Sequence, residues 1–144
     1  MKSRNTIRLT IIVCAIFLIG FSSLTTAQQK VVIIGIDGCM ANALRVANTP
    51  TVDSLLQHAT VSWDALTIPP TSSGPCWSSM LTGVWHAKHG VTDNSFSNSK
   101  YDLFPPLFTR VKEFNADLVT ASVVNWSPIN EKIVTDVDFI VSGL

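Results

Sequence analysis

A serine-rich stretch at residues 71–83 carries the side chains best placed for chemistry, and it reads Thr-Ser-Ser-Gly-Pro-Cys-Trp-Ser-Ser-Met-Leu-Thr-Gly. Proline suits the first position of a helix and glycine suits the position after its end, so Pro75 and Gly83 predict a short helix. Ser73 then lies at or next to the N-cap, where its hydroxyl and the unpaired backbone N–H groups could bind an anion. The alternative is that Ser73 only caps the helix, as serine commonly does.

Asp37 is the second candidate for chemistry. It follows residues 31–36, an apolar and mostly β-branched run without alternation, which predicts a central parallel strand buried on both faces. A carboxylate at the carboxyl end of such a strand lies where open α/β sheets bind ligands. Asp37-Gly38 is also a common turn pair, and a turn-forming role is equally compatible with the sequence.

The elements that would position these residues alternate between strand and helix. Thr49 and Pro50 suit the N-cap and first residue of a helix over residues 50–58. Patterns of apolar residues predict further elements in the order strand, helix, strand, at residues 60–66, 105–114 and 118–124. The order β-α-β-α-β predicts an α/β fold with a mostly parallel sheet, and residues 137–141 begin one more element.

The three histidines are not expected to bind metal. His58 ends a predicted helix and should be solvated. His86 and His89 lie in a predicted loop over residues 84–94, where we expect a structural role.

The first 27 residues read as a secretory signal peptide. Three basic residues precede an apolar run at residues 9–21, and small residues follow before the predicted cleavage after Ala27. An uncleaved anchor is the alternative, but 13 residues are short for a bilayer span of about 20. The sequence therefore predicts a periplasmic or secreted protein without a stable membrane anchor, whose one domain occupies residues 28–144.

The charge of residues 28–144 excludes a polybasic surface. Seven basic residues stand against ten acidic ones, a net charge of −3, so nucleic acid binding receives no support. Cys39 and Cys76 are the cysteines of this part, and they could pair in an oxidising compartment or remain two separate thiols.

Four motifs together carry a family resemblance. Asp37-Gly38, Ser73-Gly74-Pro75 and the run His-Gly-Val-Thr-Asp-Asn at residues 89–94 follow one another, and residues 48–55 read Asn-Thr-Pro-Thr-Val-Asp-Ser-Leu. This resembles the alkaline phosphatase superfamily, most closely its type I phosphodiesterase/nucleotide pyrophosphatase branch, over residues 30–130. The resemblance implies a three-layer α/β sandwich with a mostly parallel sheet.

The resemblance also implies roles for individual residues. Asp37 would be a metal ligand, Ser73 the nucleophile and a second ligand of the same metal, and Asn94 a contact to the substrate phosphoryl oxygen. The reaction would be hydrolysis of a small-molecule phosphoester through a phosphoserine, with two zinc ions as cofactors.

The sequence departs from the family pattern in three ways. The family's remaining Asp and His ligands lie farther downstream, so we expect residues 28–144 to be the N-terminal part of the hydrolase domain, with the activity of this chain open. Cys76 and Trp77 replace an Asn-His pair found in many nucleotide pyrophosphatases, which disfavours nucleotide substrates. Trp77 also stands where the related sulfatases carry an arginine, so an unmodified serine and phosphoester chemistry are expected over a sulfatase-like hydrolase. A non-catalytic product that keeps the fold without metals is the third interpretation.

Overall fold

The computed structural model describes residues 29–143. The predicted signal peptide, residues 1–27, lies outside the described residues. The chain divides into two units, Met1–Gly35 and Ile36–Leu144. In the first unit residues 29–35 are exposed and irregular, and all the helices and strands below belong to the second.

The helices lie mostly where the sequence predicts them. Their bounds are α1 Ala41–Val46, α2 Pro50–Leu56, α3 Ser73–Thr82, α4 His86–His89 and α5 Leu107–Phe114. Helix α2 begins at the predicted proline, and α3 ends at Thr82 with Gly83 as its C-cap, whose φ of 72° gives the expected left-handed conformation. Two helices were not predicted: α1, and α4 inside the predicted loop 84–94.

The start of α3 differs from the prediction by two residues. Ser72 is the N-cap and Ser73 is the first helical residue, so Pro75 is the third helical residue rather than the first. The helix tolerates proline there because the N–H groups of the first turn have no partner within the helix.

Two short parallel strands follow the helices. Strand β1, Ala121–Val124, pairs in register with β2, Phe139–Ser142, so that Ala121 faces Phe139 and Val124 faces Ser142. A π-helical turn at Ile129–Ile133 lies in the crossover between them. Thus β1 confirms the second half of the strand predicted at residues 118–124, and β2 is the element whose beginning was predicted at residues 137–141.

The hydrophobic core of the described residues packs against α3. Val91, Phe96 and Ile133 are its buried apolar side chains. Half-buried side chains pack around them: Trp77, Leu81, Tyr101 and Trp126. The core therefore joins α3, the segment after α4 and the π-helical turn.

Two predicted strands are wrong. Residues 31–36 are irregular, and their side chains are exposed rather than buried, with Val31 at 88% and Ile34 at 77%. Residues 60–66 are also irregular, and their one half-buried side chain, Trp63, lies under the guanidinium of Arg45 at 5.6 Å. A β-branched run becomes a strand only where a neighbour completes its ladder, and within residues 29–143 β1 and β2 pair with each other alone.

The helices and the parallel strand pair are compatible with the predicted α/β class, whereas the three-layer sandwich stays a prediction. Among residues 29–143 no helix combines the length and the apolar character that crossing a bilayer requires.

Candidate active site

The N-terminus of α3 brings Ser73 against Asp37, although 36 residues separate them in sequence. The Ser73 hydroxyl donates to Oδ2 of Asp37 at 2.7 Å. Ser73 is half-buried in the first turn, while Asp37 is exposed in the turn that follows residues 31–36. The hydroxyl does not cap the helix, because Ser72 occupies the N-cap position and Ser73 is the first helical residue.

Asp37 accepts a second hydrogen bond at the same oxygen. The indole Nε1–H of Trp77 donates to Oδ2 at 3.3 Å. The hydrogen bond from Ser73, supported by the one from Trp77, holds the pKa of the Asp37 carboxyl below its ordinary value. The site thus carries a stable negative charge beside the serine hydroxyl.

Asn94 contacts the same end of α3. Its Oδ1 accepts the backbone N–H of Gly74 at 2.7 Å. Because that N–H belongs to the first turn, it would otherwise have no partner within the helix. The bond also orients the planar side-chain amide, and its Nδ2, which has no partner among residues 29–143, can act as a donor.

The close approach of Asn94 requires glycine at position 74. A Cβ added there would lie 2.7 Å from the backbone oxygen of Asp93 and 2.9 Å from Oδ1 of Asn94. The segment that carries Asn94 is tightened locally, since the Asp93 carboxylate accepts both the N–H and the hydroxyl of Ser95. Asp37, Ser73 and Asn94, the three residues singled out in the sequence, therefore meet around the first turn of α3.

The three histidines lie apart from this cluster of hydrogen bonds. His58 is exposed just after α2, as expected. His89 is buried and bonded to its neighbours, which agrees with the expected structural role, and His86 begins α4.

Both cysteines of residues 29–143 are free thiols. Cys39 is exposed, and Cys76 is half-buried with its Sγ 3.6 Å from the Thr67 hydroxyl. The two separate thiols left open by the sequence are thus the arrangement found here.

Asp37 and Ser73 fit a divalent cation only in part. Their oxygens are close enough together to bind one ion, and hard or borderline cations accept such oxygens. A catalytic zinc site usually needs three protein ligands. Within residues 29–143 no group of three or more His, Cys, Asp or Glu side chains could hold a metal ion, so the described residues offer two donors of an incomplete set.

Trp77 is the site residue whose role the sequence did not reveal. The sequence marks it as a departure from the family's Asn-His pair and from the sulfatase arginine, whereas its indole N–H contacts Asp37 and its ring packs on the core. The spacing offered a signal, because residues 73 and 77 are one helical turn apart and therefore share a face of α3.

Comparison with known proteins gives one match. Residues 31–133 match the family model described as type I phosphodiesterase / nucleotide pyrophosphatase, which is more than half of the chain. No curated protein and no solved structure matches the chain.

Proposed function

Since the chain belongs to the type I phosphodiesterase / nucleotide pyrophosphatase family, we propose that it provides the nucleophile end of a phosphoester hydrolase site, with Ser73 as the attacking group. The observation that supports this most is the 2.7 Å hydrogen bond from the Ser73 hydroxyl to Asp37. A hydroxyl needs a base or a metal to become a nucleophile at neutral pH, and a carboxylate at this distance either accepts its proton or shares its cation.

Asp37 alone is a weak base. Its pKa is lowered by Ser73 and Trp77, so a proton transferred to it would be held poorly. When bound, a divalent metal such as zinc would lower the pKa of the serine and screen the charge of the phosphoester. Asp37 and Ser73 are the residues proposed to hold it, and no further ligand is assigned.

Asn94 is proposed as the contact to a phosphoryl oxygen. Gly74 occupies its Oδ1, which leaves the Nδ2 donor for the substrate. The same bond removes the Gly74 N–H from the set of donors at the helix end, so in this arrangement the Asn94 amide replaces it. Donors held in place before the reaction stabilise the charge that develops on the phosphoryl oxygens.

The proposed reaction has two steps. The Ser73 oxygen attacks phosphorus while the bond to the leaving alcohol breaks, and the serine proton ends on that alcohol. A diester leaves Ser73 carrying a phosphodiester, and a monoester leaves a phosphoserine. Water then cleaves the bond between the Ser73 oxygen and phosphorus, which regenerates the hydroxyl and releases the phosphate product. Family membership also supports a three-layer sandwich around this site, and the signal peptide expected at residues 1–27 supports a periplasmic or secreted location.

The test compares Ser73→Ala with Ser72→Ala in the protein as expressed from its own gene, with and without added zinc. Ser72 is the matched control because it is the adjacent N-cap serine and its side chain makes no capping hydrogen bond. We expect hydrolysis of bis-nitrophenyl phosphate that Ser73→Ala abolishes and Ser72→Ala retains. Mass spectrometry should find a nitrophenyl phosphate ester on the peptide that contains Ser73 after acid quenching.

Three results would contradict the proposal. Undiminished hydrolysis by Ser73→Ala would exclude the serine as nucleophile. Turnover of nitrophenyl sulfate but of neither nitrophenyl phosphate ester, or a formylglycine at position 73, would favour the sulfatase-like alternative. Absence of both zinc binding and hydrolysis would favour a non-catalytic protein.

A further inference from the structure

His89 is the one fully buried titratable side chain that the proposed reaction does not use among the described residues, at 0% exposure. Its Nδ1 accepts the backbone N–H of Val91 at 3.1 Å. Nδ1 therefore carries no proton, and in the neutral ring the proton lies on Nε2, which is 2.9 Å from the Ser79 hydroxyl. Burial lowers the pKa of the imidazole and keeps it in this neutral form.

The hydrogen bonds of the two ring nitrogens connect α3 to the segment that leads to Asn94. Ser79 lies on α3, the helix that begins with Ser73. On the other side, Val91 is 1% exposed within the core, and Asn94 follows three residues later. The His89 carbonyl also accepts the Lys100 N–H at 2.9 Å, which fixes the residue from a third direction.

Asn94 and His89 thus bind the same helix at two places. Asn94 accepts from Gly74 at the first turn, and His89 bonds to Ser79 in the second half of α3. The segment between them contains Val91, which is buried in the core. Asn94 itself is exposed, so the buried Val91, whose N–H is bonded to Nδ1 of His89, fixes the start of the segment that carries the Asn94 amide.

We propose that His89 is a positioning residue for Asn94: its Nδ1 bond to the Val91 N–H sets the course of residues 91–94 and so brings the Asn94 amide to Gly74. The proposal rests on the proposed function only in giving Asn94 a role toward substrate. The imidazole contacts no reacting group and transfers no proton.

Two amide variants separate the two ring nitrogens. His89→Asn places an oxygen near Nδ1, where it can accept the Val91 N–H in an Asx-type turn. His89→Gln places its amide nearer to Nε2, where it can bond to Ser79 but does not accept from Val91. Both put a neutral amide into the same buried position, so a purely space-filling role would give them similar effects on Asn94.

The experiment is nuclear magnetic resonance of the ¹⁵N-labelled protein, which needs no turnover. The readouts are hydrogen exchange of the Gly74 amide and the side-chain NH₂ signals of Asn94. We expect exchange at Gly74 to be unchanged within about twofold in His89→Asn and at least tenfold faster in His89→Gln, since exchange reports opening of that bond. His86→Asn, at the other end of α4, is the matched control and should match the unaltered protein.

Equal Gly74 exchange in the Asn and Gln variants would overturn the proposal, as would a wild-type His89 whose ¹⁵N shifts show the proton on Nδ1. If both variants fail to fold, Ser79→Ala keeps the imidazole and removes only the Nε2 partner. Gly74 exchange should then change less than threefold, and a tenfold rise would assign the control of Asn94 to Ser79 and overturn the role of Nδ1. Missing hydrolytic activity would count against the proposed function and leave these readouts unaffected.

Discussion

The indole of Trp77 and the carboxylate of Asp37 are joined by a 3.3 Å hydrogen bond, on the same oxygen that accepts the Ser73 hydroxyl. Trp77 also packs on the core around Val91, Phe96 and Ile133. An exposed carboxylate is thereby oriented by a side chain that the core holds in place.

Trp77→Phe should keep the packing and remove the donor. We expect the pKa of Asp37 to rise toward its ordinary value, because one of its two side-chain hydrogen bonds is lost. A hydrogen bond to a charged group contributes about 1.5–3 kcal/mol at most and less at an exposed site, so kcat/KM should fall by roughly tenfold or less. A ¹³C carboxyl titration and phosphoester kinetics measure the two effects. Trp126→Phe, which alters a ring against the same core, is the control, and an unmoved Asp37 titration would contradict the contact.

Gly74→Ala should displace the segment that carries Asn94. The new methyl would lie 2.7 Å from the Asp93 backbone oxygen, and overpacking of this kind costs about 1–3 kcal/mol. We expect that loss in the free energy of unfolding together with most of the turnover. Gly83→Ala is the matched control, because nothing lies within 4 Å of its added Cβ and only its φ of 72° is unfavourable. It should lose stability of about 1 kcal/mol and keep turnover. Urea unfolding measures the loss of stability in both variants, and phosphoester kinetics measure their turnover. Equal turnover in Gly74→Ala and Gly83→Ala would contradict the prediction.

Asn94→Ala should lower turnover by on the order of 10²–10³, as the loss of one oxyanion donor does. Asn94→Asp refines the test, since it keeps an acceptor for the Gly74 N–H and removes the amide donor. Both variants should lose turnover, whereas slow exchange at Gly74 should survive only in Asn94→Asp. A change of less than a few-fold in kcat would speak against the substrate contact.

Asp138 should make stability depend on acid pH. It binds Lys112 at 2.8 Å and accepts the N–H and hydroxyl of Thr120, and the Lys112 hydrogen bond is the main reason that its pKa falls to about 2 from 3.8. The folded state binds this proton less readily than the unfolded chain. The stabilisation is therefore complete above pH 3.8 and disappears as the pH falls toward 2.

Urea unfolding between pH 2 and 6, with Asp138→Asn beside the unaltered protein, measures this contribution. The variant should be less stable at pH 6, and the difference should shrink as the pH falls through this range. Asp102→Asn, which removes the same charge from an exposed turn, is the matched control. A pH-independent difference for Asp138→Asn would contradict the assignment.

The sequence predicted the helical parts of the site better than the strands. Pro50 and Gly83 marked the correct ends of α2 and α3, because capping is a local property of the chain. Residues 31–36 and 60–66 have suitable strand composition, yet a strand depends on a partner that no local pattern specifies. The short helix α4 was missed because four residues give no apolar periodicity.

The order of the motifs in the sequence was enough to predict which residues form the candidate site, but it did not predict the hydrogen bonds between them. Asp37, Ser73 and Asn94 were all named from the sequence, and they meet at one helix end. That Gly74 would use its N–H on Asn94, and that Trp77 would reach Asp37, depends on side-chain geometry across 20 and 40 residues of sequence. The spacing of residues along the sequence does not predict contacts over such distances.

The imidazole of His89 is buried and both of its ring nitrogens are hydrogen-bonded, so its reactivity can report on the structure around it. An acylating reagent such as diethyl pyrocarbonate attacks an accessible neutral ring nitrogen, and both nitrogens of His89 are bonded inside the structure. The reagent should therefore modify exposed His58 quickly and His89 only when the segment after α4 detaches from α3. The rate of that second modification would report, in an unlabelled sample, how often the Asn94 side of the site opens.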